Sequence, residues 1–86
     1  DLYPNPFNAA VTFAYTVAAH EDVSLAVYDV AGQLVRVLQR QRVAAGAHQV
    51  HWDGTDATGR PVASGVYIMR LNVGSRHVTR KLTLAR

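Results

Sequence analysis

Apolar residues recur along this chain with a period of two. Val11, Phe13, Tyr15 and Val17 alternate with Thr12, Ala14 and Thr16. Val23, Leu25 and Val27 alternate with Ser24, Ala26 and Tyr28, and Val50 and Trp52 with Gln49 and His51. Tyr67, Met69, Leu71 and Val73 alternate with Ile68, Arg70 and Asn72, while Val78, Leu82 and Leu84 share a parity that Arg80 interrupts. This alternation gives an extended strand one buried and one wetter face. It predicts strands over about 10–18, 22–29, 33–40, 46–53, 65–73 and 76–85, with a short extended piece at 2–7 as a seventh. Within 33–40, Leu34, Val35, Val37 and Leu38 also fit a helical turn. The β-branched valines and the short length favour strand.

Chain-breaking residues fall between these segments: Ala19 to Asp22, Asp29 to Gly32, Ala44 to Gly46, Asp53 to Pro61, and Gly74-Ser75. Asp29-Val30-Ala31-Gly32 reads as a short hairpin turn, with Gly32 free to take positive φ. Pro4 and Pro6 hold residues 3–7 extended and bar them from a central ladder position, so Tyr3 and Phe7 are expected to pack as a lid on one end of the core. Six or seven short strands at roughly ten-residue spacing predict two packed antiparallel sheets.

Composition sets the scale. The chain has 86 residues, 49% hydrophobic and 17% charged, which suits one small folded domain rather than a disordered segment. It contains no cysteine, so disulfides and thiolate metal sites are excluded. No run of about 18 apolar residues predicts a membrane-spanning helix. The chain begins at Asp1 and is expected to be a fragment of a longer polypeptide, with any export signal upstream. Charge is unevenly spread. All six acids lie within the first 56 residues, whereas Arg60, Arg70, Arg76, Arg80, Lys81 and Arg86 follow with no acid among them. A basic third of this kind either meets an acidic partner or guards solvated strand edges.

Candidate chemistry is sparse. Asp53-Gly54-Thr55-Asp56 invites a calcium reading, but its spacing departs from an EF-hand loop, and Asx-type turns account for the same residues. Trp52 is expected to be the largest core residue with its indole N–H bonded locally; sugar stacking would need it exposed. His48 and His51, three apart on a strand, point to opposite faces and cannot share a metal, and His20 and His77 have no evident partner. No nucleophile elbow, phosphate loop or paired carboxylates are visible, and the basic residues are not interleaved with aromatics. The chain is therefore expected to be no enzyme, to hold no cofactor or metal, and to bind no nucleic acid.

The motifs in order resemble a known family. They are Tyr3-Pro4-Asn5-Pro6-Phe7-Asn8, Thr12 to Tyr15, Val27-Tyr28-Asp29 with Gly32, Gly46 to Gly54, Asp56, Gly59, Ala63-Ser64-Gly65-Val66-Tyr67 and Lys81-Leu82. Together they resemble the type A C-terminal sorting domain of type IX secretion substrates. The Tyr-Asp-x-x-Gly, Trp-Asp-Gly and Gly-x-Tyr pattern is also similar to the immunoglobulin-like domain of the flagellar hook-capping protein, and the Tyr3–Asn8 opening favours the sorting domain. The resemblance implies an all-β immunoglobulin-like or fibronectin type III-like antiparallel sandwich of six to seven strands, with residues 1–86 forming one domain.

The sorting resemblance further implies a non-catalytic module that directs secretion or cell-surface attachment of a larger exported protein, a hydrolase or adhesin. Its implied partners are an outer-membrane translocon, a cell-surface peptidase, the upstream cargo domain and lipopolysaccharide. Its implied location is the surface of a Gram-negative cell, reached through the periplasm, and it is expected to be monomeric. Carried onto this chain, translocon recognition would fall on Gly65, Tyr67, Arg80 and Lys81. The alternatives are an accessory carbohydrate- or calcium-binding module and a structural immunoglobulin-like spacer in a surface or flagellar assembly.

Overall fold

A computed structural model describes residues 11–85. Six strands follow in chain order: β1 (Val11–Val17), β2 (Glu21–Asp29), β3 (Leu34–Val43), β4 (Gly46–Trp52), β5 (Gly65–Val73) and β6 (Arg76–Leu84). All pairings are antiparallel, as β1-β4 in one sheet and β3-β2-β5-β6 in the other. The expected all-β sandwich is present. The proposed strand at 2–7, with the Tyr3 and Phe7 lid, lies outside the described residues.

The alternation that marks β2 and β5 places them at the centre of the larger sheet. Val23, Leu25 and Val27 lie opposite Val73, Leu71 and Met69, and all six are buried. Val17, Val43 and five of these six (Val23, Leu25, Met69, Leu71 and Val73) form one end of the core, and Val27, Trp52, Tyr67 and Leu84 form the other. Phe13, Leu38 and Leu82 pack against both ends and make the core continuous. Burial of such side chains contributes about 1.5–3 kcal/mol each, the main favourable term available to a domain of this size.

β3 departs from regular alternation. Its register against β2 shifts between Leu25 and Ala26, and again between Val27 and Tyr28. The shifts leave Leu38 and Val35 without direct partners, as in β-bulges, where an extra residue turns the strand's parity over. Val35 and Leu38, three apart, thereby pack against the same core. This explains the helix-like spacing in the sequence: bulges, not a helical turn, bring these residues to one side. β3 also runs past the expected end at 40, because Arg40, Gln41, Arg42 and Val43 pair with Ser24, Val23, Asp22 and Glu21. On an edge strand these polar side chains stay in water, so their polarity does not end the ladder.

The hairpin between β2 and β3 closes as its residues require. Asp29 Oδ1 accepts the N–H groups of Ala31 and Gln33, each at 2.9 Å, and Gly32 donates its N–H to the Asp29 carbonyl. Gly32 takes φ +85°, a conformation unfavourable for residues with a Cβ.

The two sheets are unequal. Among the described residues four strands face two, so the inner face of the larger sheet is broader than the two strands opposite it. On β5, Tyr67, Met69, Leu71 and Val73 are buried, but on β6 the same face carries Leu84 and Leu82 and then Arg80, Val78 and Arg76, which are exposed. Trp52→Ala is expected to cost about 3–5 kcal/mol in urea unfolding, since the residue is fully buried. Leu34→Ala, at a side chain 55% exposed, is expected to cost less than about 0.5 kcal/mol. A Trp52→Ala loss below about 1 kcal/mol would contradict this core.

Candidate functional site

Trp52 ends β4 and reaches across to the larger sheet. Its ring meets Tyr67 edge-on, with centroids 5.4 Å apart and planes at 69°. Its Nε1–H donates to the Thr55 carbonyl at 2.9 Å, which turns the following loop back over the core. At 0% exposure it has no face to offer a sugar ring. Tyr67 donates its hydroxyl to the Ala63 carbonyl at 2.6 Å and anchors the other end of the same loop.

The loop from Asp53 to Arg60 is a chain of local turns. Asp53 Oδ1 accepts Thr55 N–H at 3.1 Å and Thr55 Oγ1–H at 2.5 Å. Asp56 Oδ1 accepts Thr58 N–H at 2.9 Å, Thr58 Oγ1–H at 2.6 Å and Arg60 N–H at 3.1 Å. Gly59, at φ +86°, completes the second turn and donates to the Asp56 carbonyl. Arg36 of β3 pins the loop from beneath, donating to Thr55 Oγ1 at 2.6 Å and to the Asp56 carbonyl at 2.8 Å. One oxygen of each carboxylate is thus spent on backbone and hydroxyl donors. Among the described residues no three His, Cys, Asp or Glu side chains converge as a metal site.

These hydrogen bonds hold both carboxyls below the ordinary aspartate value, chiefly through the hydroxyls of Thr55 and Thr58. His48 and His51 sit on a strand of unbroken register, opposite Tyr15 and Thr12. His48 stacks on Tyr15 with centroids 5.4 Å apart, while His51 Nδ1 lies 3.1 Å from Thr12 Oγ1.

The four residues singled out for recognition do not share one surface. Gly65 opens β5 opposite Leu84, and Tyr67, 8% exposed, is a core residue opposite Leu82. Arg80 pairs with Met69 and Lys81 with Ile68, so the two cations leave opposite faces of β6. Arg80 instead stands with Arg76 and Val78 on the uncovered inner face of β6. There they line an open groove of about 920 Å³ whose opposite wall is β1, with Met69 and Leu71 of β5 and His77 and Lys81 of β6 also among its lining. Among the described residues no acidic side chain lines it. Its one sequence signal is Arg80 breaking the apolar parity of Val78, Leu82 and Leu84. Arg36 carried no sequence signal, because its role depends on a loop nineteen residues away in sequence.

Residues 7–76 match the family model described as the FlgD Ig-like domain. The chain belongs to this family. Two solved structures resemble its fold, each with a TM-score of 0.67. FlgD from P. aeruginosa is 24% identical over 87% of this chain and 58% of its own length. FlgD from Xanthomonas campestris, described in terms of the hook capping essential for flagellar assembly, is 26% identical over 88% of this chain and 56% of its own. The chain therefore corresponds to little more than half the length of either protein. No curated protein sequence matches it.

The family match corrects the sorting reading. A type IX secretion module, its translocon, peptidase, hydrolase cargo and lipopolysaccharide partners, and its Gram-negative cell-surface location are all set aside in favour of the FlgD Ig-like family. The physical reason lies in the shared motifs. Asp29 and Gly32 build a hairpin turn, Trp52 and Asp53 build the core and the loop, and Tyr67 packs on Trp52. Each serves the sandwich itself, so none discriminates between families that use it. The discriminating weight rested on Tyr3 to Asn8, outside the described residues.

The lowered Asp53 and Asp56 pKa values make a signed prediction. Because folding depresses them, their contribution to stability is complete above the unfolded value of 3.8 and is lost as pH falls through the folded values. The melting temperature of the Asp53→Asn/Asp56→Asn variant is expected to fall less steeply than that of the native chain as pH drops below about 4. Parallel acid limbs in the two melting series would show that these carboxylates carry no such linkage.

Proposed function

We propose that this chain is a non-catalytic structural module of an assembly protein of the flagellar hook-capping type. The observation that carries this reading is the match of residues 7–76 to the FlgD Ig-like domain, supported by a shared fold with a hook-capping protein at 26% identity. The architecture suits a load-bearing element. Its fully buried side chains include Trp52, Leu25, Val17 and Val27, and its one large loop is tied down by Arg36, Trp52 and Tyr67. Residues 1–86 act in this reading as one domain, and the assembly they join is the flagellar hook.

The test is a domain exchange. Residues 1–86 replace the Ig-like domain of Xanthomonas campestris FlgD in cells lacking their own copy, and hooks and motility are scored. Hook assembly above that of the deletion strain is the expected result. A chimera present at native levels that leaves cells hookless would overturn the reading.

A further inference from the structure

The open side of the sandwich has a feature the proposed structural role does not require. β1 pairs with β4 on one edge, and among the described residues no strand pairs with its other edge. Unpaired strand edges invite further pairing, and proteins usually blunt them with charge, proline or bulges. The edge strands of the larger sheet follow that rule. β3 carries Arg36, Arg40 and Arg42 and two register shifts, and β6 carries Arg76, Arg80 and Lys81. β1 does not. Its residues, Val11 to Val17, include no Asp, Glu, Lys, Arg or His, no proline and no bulge.

Facing that edge across the 920 Å³ groove, β6 presents Arg76, Val78 and Arg80 on its inner pleat. Val78 is 43% exposed. Among the described residues neither arginine has a carboxylate partner: the ion pair formed there is Asp22–Arg42, at 3.4 Å on the outside of the β2–β3 ladder. A single side chain of the wrong kind could be a tolerated surface residue. Two arginines flanking a valine at i, i+2 and i+4, opposite a bare apolar edge, form a pattern.

We infer that this groove accepts an extended acidic segment of a partner protein, added to the free edge of β1 as a third strand of the smaller sheet. The backbone of such a segment satisfies the unpaired groups of β1, which supplies affinity without regard to sequence. Its inward side chains meet β6, and the matching order is carboxylate, aliphatic, carboxylate at alternate positions. The aliphatic residue covers Val78 and the carboxylates pair with Arg76 and Arg80, partly shielded from water by the two sheets, where charge pairs are worth more than on an open surface. The inference rests on the groove's own geometry and stands whichever assembly the parent protein joins.

The experiment uses the full chain, isotopically labelled, and two blocked peptides: Thr-Glu-Thr-Val-Thr-Glu-Thr and its counterpart with lysine for glutamate. NMR titration with the acidic peptide is expected to shift resonances along β1 and β6 together and to slow exchange at alternate amides of β1. The lysine peptide is expected not to bind. The Arg76→Glu/Arg80→Glu variant is expected to bind about tenfold more weakly, with its β2 resonances unchanged. Raising ionic strength from about 0.05 M to about 0.5 M is expected to weaken binding by the native chain, a readout that involves no variant. Equal affinity for both peptides, or shifts away from β1 and β6, would overturn the proposal. So would outward β1 amides already protected in the free monomer, meaning that residues 1–10 of the same chain occupy the edge. Protection that appears only in a dimer would overturn it in favour of a second copy.

Discussion

The burial of Trp52 is the interaction on which the rest of this domain depends. A two-stranded sheet is marginal by itself, and it persists here because its last residue inserts a large ring into the larger sheet. That insertion has a condition. A buried indole N–H without an acceptor would cost more than a typical hydrogen bond returns, and the acceptor is the Thr55 carbonyl. The chain must therefore turn back within three residues. The Asp53 and Asp56 turns, the Arg36 brace and the Tyr67–Ala63 hydrogen bond all hold that reversal in place. Packing, loop geometry and the lowered aspartate pKa values thus form one connected arrangement rather than three separate features.

The same arrangement explains why motif resemblance to a sorting domain and membership of the FlgD Ig-like family both rest on the same residues. Turn aspartates, a tryptophan before an Asp-Gly pair and a tyrosine on the next strand are what this sandwich needs in order to close. Motifs of that kind report architecture. They say little about a partner, because the atoms that would touch one are used internally. Surface function is written in side chains that violate the fold's requirements. Here that means Arg76 and Arg80 on a face where Met69, Leu71 and Val73 set the apolar rule, and a bare edge strand where charge is usual.

Particular residues show how much was legible in advance. Alternation in β2 and β5 placed both strands and their inward faces correctly, because a period of two on a sheet with one buried face leaves no other register. The Asp29–Gly32 turn was legible because its chemistry is local. β3 was half legible: valines marked it as strand, but its bulges and its extension to Val43 depend on pairing with β2. The recognition residues fared differently. The motif groups Tyr67 with Arg80 and Lys81, whereas the structure buries Tyr67 in the core and turns Arg80 and Lys81 to opposite faces of β6, since neighbours on a strand face opposite ways.

The sequence by itself determined the presence of the six strands, the buried parity of β2 and β5, the turn chemistry and the role of Trp52, because all of these follow from interactions among residues near one another in the chain or from simple alternation. Only the tertiary structure decided that, among the described residues, four strands face two, that Arg36 braces a distant loop, and that β1 and β6 stand across an open groove. Those outcomes depend on which strands become neighbours. That choice is made by long-range packing, and no local pattern records it.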